Sequence, residues 1–204
     1  MQKVLIATTN PGKTREYKQL LSDLPVSVVS LKDVGIDKDV DETGGTYEEN
    51  AKLKATTYAN LSGLPAISDD GGIEIDALGG KPGLHSRRWV GGEGKDEDII
   101  RKMKEVAKEL PDNNRRATFN IVVAFALPNG EVWTSKGFVE GIIAREPQYN
   151  LLHGYPYRSF FYIPTIKKFY QELELTEEEA QQYNHRLRAV IALKKDIRRI
   201  LNLI

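Results

Sequence analysis

Two long strand-like runs, Arg116 to Leu127 and Glu131 to Ile143, meet at Pro128-Asn129-Gly130. An Asn-Gly pair accepts the positive φ of a tight hairpin turn, so the two runs pair antiparallel as neighbours. Each is about twice as long as a typical strand, and an arm of that reach commits the chain to a long sheet. The amino-terminal part carries a different signal. Lys3 to Ala7 and Val26 to Ser30 are short apolar runs separated by a helical pattern, the order that builds parallel pairs through crossover helices. Together they predict an α/β fold: an elongated mixed β-sheet flanked by helices.

The helices are signed by their caps and stripes. Asn10 followed by Pro11 opens the first, whose apolar face carries Tyr17, Leu20 and Leu21. Thr46 and Glu49 form a capping box ahead of a second helix with Ala51, Ala55, Tyr58 and Ala59 on its sheet face. Asp96 to Leu110 is amphipathic through Ile99, Ile100, Met103, Val106, Ala107 and Leu110. Thr176 with Glu179 signs another box, and Asn184-His185-Arg186 opens a last helix with Leu187, Val190, Ile191, Ile197, Ile200 and Leu201 as its buried stripe. At 204 residues, without repeats or a flexible linker, the chain reads as one domain over 1–204.

Composition excludes several classes of partner. Lys plus Arg equals Asp plus Glu at 29 each, so no bulk field draws in a nucleic-acid polymer or a membrane surface. The absence of cysteine removes disulfides, thiolate catalysis and zinc-thiolate sites, and fits a reducing compartment. No apolar run reaches membrane-spanning length, and the amino terminus enters a strand without a signal-peptide pattern. A soluble cytoplasmic protein is expected.

The chemistry gathers around Pro65 to Asp76. A buried strand, Leu64 to Ile67, delivers Asp69 and Asp70 to its end, where Gly71 and Gly72 let the backbone turn. Paired carboxylates suit magnesium that arrives with a phosphorylated substrate, though Asp and Gly are equally the stuff of ordinary turns. At Thr8 to Lys13 the helix start aims backbone N–H groups and Lys13 at one point, as a phosphate requires; a plain capped helix looks the same. Glu42 ends an acidic segment, and Asn50 and Lys54 lie four apart, so an amide and a cation share one face. Arg87 or Arg88 either clamps a phosphate, stacks on Trp89 or pairs with a surface carboxylate. Between Arg145 and Tyr162 the aromatics Tyr149, His153, Tyr155, Tyr157, Phe160, Phe161 and Tyr162 crowd around Gly154, Pro156 and Arg158. Such density suits a platform for a nucleobase, or the filling of a core gap. His185 and Arg186, at a helix start, either donate to a ligand oxygen or lie on the surface.

Taken jointly, Thr8-Thr9-Asn10-Pro11-Gly12-Lys13 with Glu16, Thr46-Tyr47-Glu48-Glu49-Asn50-Ala51 with Lys54-Ala55, Ser68-Asp69-Asp70-Gly71-Gly72-Ile73-Glu74, Asp76 to Gly83, and His185-Arg186 with Arg188-Ala189 resemble the inosine/xanthosine triphosphate pyrophosphatases. The resemblance runs in order from Lys3 to about Leu193. It implies a two-lobed fold sharing one long mixed sheet, a cleft between the lobes, a homodimer, and magnesium-dependent hydrolysis of a nucleoside triphosphate to monophosphate and pyrophosphate. By position, Asp70, Asp69 and Lys54 match its catalytic residues, and Glu42 and Asp70 its metal carboxylates. Thr8, Asn10, Lys13 and Lys54 match its phosphate holders, with Asn50, Gly71, Tyr157, Arg158, His185 and Arg186 as further substrate contacts.

The departures fall at the base-reading end. Where the family reads Gly-Phe-Gly-Tyr-Asp-Pro-Ile-Phe, this chain has Gly154-Tyr155-Pro156-Tyr157-Arg158-Ser159-Phe160-Phe161, so Arg158 replaces an acid. Ala180 falls where a lysine is expected, Asn184 where a serine is, and Gly71 replaces a small hydroxyl residue. Three readings follow: a pyrophosphatase with altered base preference, one with the usual preference for ITP and XTP, and a catalytically silent nucleotide-binding protein. The retained Lys13, Glu42, Lys54, Asp69 and Asp70 argue against the last.

Overall fold

The computed structural model describes residues 1–91, 94–148, 154–171 and 174–203. Its strands are β1 (Gln2–Ile6), β2 (Val26–Ser30), β3 (Ala66–Ile75), β4 (Lys81–Pro82), β5 (Arg116–Ala126), β6 (Val132–Ile143), β7 (Phe161–Ile163) and β8 (Lys168–Phe169). Among the described residues these eight form one sheet in the order β2-β1-β3-β5-β6-β7-β8, with β4 paired to β3. The first half is parallel, β1 lying between β2 and β3; β4, β7 and β8 add antiparallel pairs. The helices are α1 (Pro11–Leu20), α2 (Tyr47–Ser62), α3 (Asp96–Glu109), α4 (Glu177–Tyr183) and α5 (His185–Ile200). This is the mixed α/β architecture that the strand pattern predicts. The β5–β6 turn closes with Gly130 at φ +92°, its N–H donating to the Leu127 carbonyl. No helix among the described residues is long and apolar enough to cross a membrane.

The chain divides into two compact units. One comprises Met1–Asp70, Ile121–Gly137 and Arg186–Ile204, the other Gly71–Asn120 and Phe138–His185.

In the first unit the sheet is buried on both faces, and residue parity decides which. Val4, Ile6, Ile67, Ile121, Val123 and Phe125 pack with Tyr17, Leu20 and Leu21 of α1 and with Ala189, Val190, Leu193 and Ile197 of α5. The intervening Leu5, Ala7, Ala66, Val122, Ala124 and Ala126 face Ala51, Ala55, Tyr58 and Ala59 of α2. Alternation with period two on a strand covered on both sides gives this continuous apolar run. The second face is built largely of alanine, which lets α2 lie close to the strands and carries its polar residues to the sheet with it. Of the predicted α5 stripe, Ile191 is 48% exposed; the helix turns Ala189 and Leu193 to the core instead.

In the second unit Ile73 and Ile75 of β3 join α3, through Ile99, Met103, Val106 and Ala107, and the aromatics Phe119, Tyr157, Phe160, Phe161 and Tyr170. Arg115 is buried beside this cluster and donates to the carbonyls of Ala107, Leu110 and Ile143, closing the carboxyl end of α3.

One expectation is corrected at the centre of the chain. The strand does not end before Asp69: β3 runs through Asp69, Asp70, Gly71 and Gly72 to Ile75. Gly72 serves close approach rather than a turn. A Cβ there would lie 2.2 Å from the Gly83 carbonyl oxygen and 2.6 Å from Ser86 Oγ. The segment 77–83, predicted irregular, contributes β4, paired with β3 at Glu74 and Ile75.

Candidate active site

Four elements of the first unit bring the carboxylates and cations together. Asp70 leaves β3 beside α2, where Asn50 Nδ2 donates to its Oδ2 at 3.0 Å. Lys54, one helical turn on, places Nζ 2.5 Å from Glu42 Oε1 and 3.8 Å from Asp70 Oδ1. The predicted shared face of Asn50 and Lys54 therefore converges on a single carboxylate. Asn50 is fully buried, and its orientation is set from behind: the Gly44 N–H donates to its Oδ1 at 2.7 Å, which leaves the amide NH₂ for Asp70. Residue 44 must be glycine, since a Cβ there would stand 2.7 Å from both Asn50 Oδ1 and Glu49 Cβ. Of the predicted capping box on α2, Thr46 Oγ1 accepts from the Glu49 N–H, while the Glu49 carboxylate reaches the Gly45 N–H, one residue earlier.

Burial raises the proton affinity of Asp70; Lys54 opposes that and Glu42 adds to it, leaving the carboxyl above its usual pKa. Burial works against the Lys54 ammonium, yet Asp70, Glu42 and Asp69 together raise its pKa. Lys54 is held charged by its carboxylate neighbours, while at Asp70 the pull of Lys54 offsets burial only in part.

Asp69, on the opposite side of β3, has different partners. Its Oδ1 accepts from Lys13 Nζ, and its Oδ2 from the Tyr17 hydroxyl at 3.0 Å and Arg186 Nε at 2.8 Å. Arg186 Nη1 donates in turn to Glu16. Burial alone would push the Asp69 carboxyl up, but Lys13, Arg186 and Lys54 hold it far below the usual carboxylate range. Tyr17 is pushed well above its ordinary value, by burial first and by Asp69 next. Arg186 is thus a buried partner of two carboxylates, not a first-turn surface residue. Glu16 and Tyr17 lie three and four residues after Lys13, so α1 presents all three on one face, Lys13 and Tyr17 to Asp69 and Glu16 to Arg186. That spacing was the readable signal for them, which a reading of Tyr17 as an apolar-face residue overlooks.

The start of α1 differs from the expectation of open backbone donors. Asn10 Oδ1 itself accepts from the Gly12 and Lys13 N–H groups, at 2.8 and 3.2 Å, and the Asn10 N–H donates to Thr8 Oγ1 at 3.2 Å. The polar handle at this end is the side chain of Lys13.

Gly71, Tyr157, Arg158 and His185 belong to the second unit. The Tyr157 hydroxyl donates to the Ser86 carbonyl at 2.6 Å. His185 Nδ1 meets the Tyr170 hydroxyl, and its ring stacks on Phe119 at 5.6 Å. Arg158 is 2% exposed, its guanidinium 4.0 Å from the ring centre of Tyr155 and 4.8 Å from that of Tyr170; it is not a surface residue. Phe160 and Phe161 are core. Tyr149 and His153 lie outside the described residues. Arg87 pairs with Asp96 at 2.6 Å on the surface, as one of its predicted alternatives has it.

Comparison with known proteins agrees with this architecture. The model of the Ham1 family matches residues 4–196. A dITP/XTP pyrophosphatase of Shigella flexneri is 41% identical over 201 residues, 97% of this chain and 99% of the relative; one from Bacillus subtilis (strain 168) is 37% identical over 195 residues, 96% of each. Among solved structures, a HAM1 protein from Coxiella burnetii superposes with a TM-score of 0.79 at 33% identity, covering 97% of this chain and 98% of that one. With a family model spanning nearly the whole sequence and relatives aligned end to end, the resemblance first carried by the Asp69-Asp70 and Lys13 motifs is one of descent: the chain belongs to the Ham1 family.

Proposed function

We propose that the protein is a magnesium-dependent nucleoside-triphosphate pyrophosphatase, converting an NTP or dNTP to its monophosphate and pyrophosphate, and working in the cytoplasm, as its composition suggests, as the homodimer that the family resemblance implies. The observation that carries this is the convergence of Lys54, Glu42, Asn50 and Asp70 beside the half-buried Lys13–Asp69 pair. Its relatives named dITP/XTP pyrophosphatase point to the same reaction.

Glu42 and Asp70 fit a hard divalent cation. Both face the Lys54 ammonium, and Glu42 helps raise the proton affinity of Asp70, a like-charge repulsion that a cation relieves. Among the described residues no three His, Cys, Asp or Glu side chains form a metal cage. Two carboxylates match magnesium that takes its remaining ligands from water and phosphate. When bound, magnesium neutralises charge on the phosphates. Lys13 and Lys54 hold phosphate oxygens, and charge developing on the departing pyrophosphate is balanced by them. Asp70, oriented by Asn50, aligns the water that attacks the α-phosphorus.

The base preference departs from that of the named relatives. Where the family pattern has an acid, Arg158 offers only donors, and its guanidinium is clasped between Tyr155 and Tyr170. An acid accepts from the protonated N1 of hypoxanthine or xanthine; a guanidinium favours acceptor-rich edges such as purine O6 and N7.

The test is pyrophosphate release from a panel of purine and pyrimidine triphosphates, with and without magnesium, for wild type and Arg158→Ala. Magnesium-dependent release from some of the panel is expected, in an order of kcat/KM that the variant changes. No release from any triphosphate rejects the enzyme. A strong wild-type preference for ITP and XTP, or equal loss on every base in the variant, rejects the altered preference alone.

A further inference from the structure

The two oxygens of Asp69 are used differently. Oδ2 takes the Tyr17 hydroxyl and Arg186 Nε, and Arg186 is pinned from its other side by Glu16. Oδ1 takes Lys13 Nζ. Side-chain exposure separates the partners: 22% for Lys13, against 5% for Arg186 and 1% for Glu16 and Asp69. With Lys13 in place both oxygens of Asp69 are taken, Oδ1 by that ammonium. Three of its neighbours are sealed in the core of the first unit; Lys13, on a flexible stem with three donors, is the one with access to solvent.

We propose that Asp69 is the resident counter-anion of Lys13, exchanged by that ammonium for a phosphate oxygen of the substrate, while Tyr17 and the Glu16–Arg186 pair hold Asp69 fixed. The inference rests on reading the site as a triphosphate pocket, and gives Tyr17 and Glu16 the part of positioning residues. Its consequence is electrostatic. Lys13 and Arg186 balance Glu16 and Asp69 in formal charge. Once Lys13 turns to a phosphate, a net negative charge remains behind it. Binding of polyphosphate is thereby weakened, and pyrophosphate is let go after cleavage.

Inorganic pyrophosphate, titrated calorimetrically without magnesium, is the probe. Asp69→Asn should tighten binding by about tenfold, the scale of one charge removed at this range in a partly screened site. Lys13→Met should weaken binding, and in that background Asp69→Asn should gain only about threefold or less, because the broken ion pair is the coupled part. Weaker binding in Asp69→Asn, as a carboxylate that merely supports the fold would give, overturns the inference; so does the same gain in both backgrounds. Should Asp69→Asn fail to fold, Tyr17→Phe keeps every charge and removes one donor from Oδ2, which concentrates the carboxylate's pull on Lys13. It should weaken pyrophosphate about threefold, the scale of one such hydrogen bond, and unchanged or tighter binding there rejects the exchange. Triphosphate hydrolysis assayed alongside separates the two readings. These couplings in an inert protein would uphold the exchange and reject the pyrophosphatase; activity without them does the reverse.

Discussion

On neighbouring positions of β3, the carboxylates of Asp69 and Asp70 meet different partners, and their proton affinities separate accordingly. Asp69 sits far below the usual range because Lys13, Arg186 and Lys54 outweigh its burial; Asp70 sits above it because burial, helped by Glu42, outweighs Lys54. For Asp69 the unfolded chain binds the proton more tightly than the folded one. Its contribution to stability is therefore complete above the unfolded carboxylate pKa and is lost as pH falls below it. Melting temperature against pH, in magnesium-free buffer, should fall less steeply on the acid side in Asp69→Asn than in wild type; parallel curves would show that Asp69 does not carry the acid transition. The cations give a second expectation. Lys13→Met and Lys54→Met should each raise KM by about tenfold or more for triphosphates of every base alike, since a charge-assisted hydrogen bond to phosphate carries no base information. A loss confined to one base would contradict phosphate holding. At this scale the sequence was partly legible. The spacing of Asn50 and Lys54 puts them on one face, but nothing in it says that both point to Asp70, because that contact depends on how close α2 lies to the sheet. Arg186 was ambiguous for a related reason: its two carboxylates are 117 and 170 residues away in sequence.

The element that sets the site's geometry is α2. Its alanines at 51, 55 and 59 meet the small residues Ala7, Ala66, Ala124 and Ala126, and this close packing holds Asn50 and Lys54 against the carboxylates. Ala55→Leu should overpack that layer and cost about 1–3 kcal/mol. It should also lower activity more than an equally destabilising change at Leu193 on the other face of the sheet, because Lys54 adjoins residue 55. Equal activity in variants matched for stability would separate the packing of α2 from catalysis. The caps and apolar faces of the helices could be read in advance because they are local. The end of β3 could not: glycine marks a turn and a close backbone approach equally well. Which of these Gly72 serves is decided by the Gly83 carbonyl, which comes near only in the folded chain.

For the molecule as a whole, the long hairpin and the short parallel strands sufficed to predict a mixed sheet flanked by helices, since strand length, turn chemistry and period are written residue by residue. The two-sided burial in the first unit extends that logic, with odd and even residues of the same strands feeding two cores. The aromatic segment behaves differently. Phe160 and Phe161 fill the core of the second unit while Tyr155 lies against the buried Arg158, so its high aromatic count reports core packing as well as the surroundings of Arg158. The proposed reaction is cleavage between the α- and β-phosphates by water that Asp70 aligns. Hydrolysis of a preferred triphosphate in ¹⁸O-water with magnesium, followed by mass analysis of the products, tests it most directly. Nucleoside monophosphate carrying the label and unlabelled pyrophosphate are expected, with turnover falling by roughly a hundredfold or more in Asp70→Asn, the scale of a lost base or water-orienting group. Nucleoside diphosphate and inorganic phosphate as products, label in the pyrophosphate, or undiminished turnover in Asp70→Asn would contradict it.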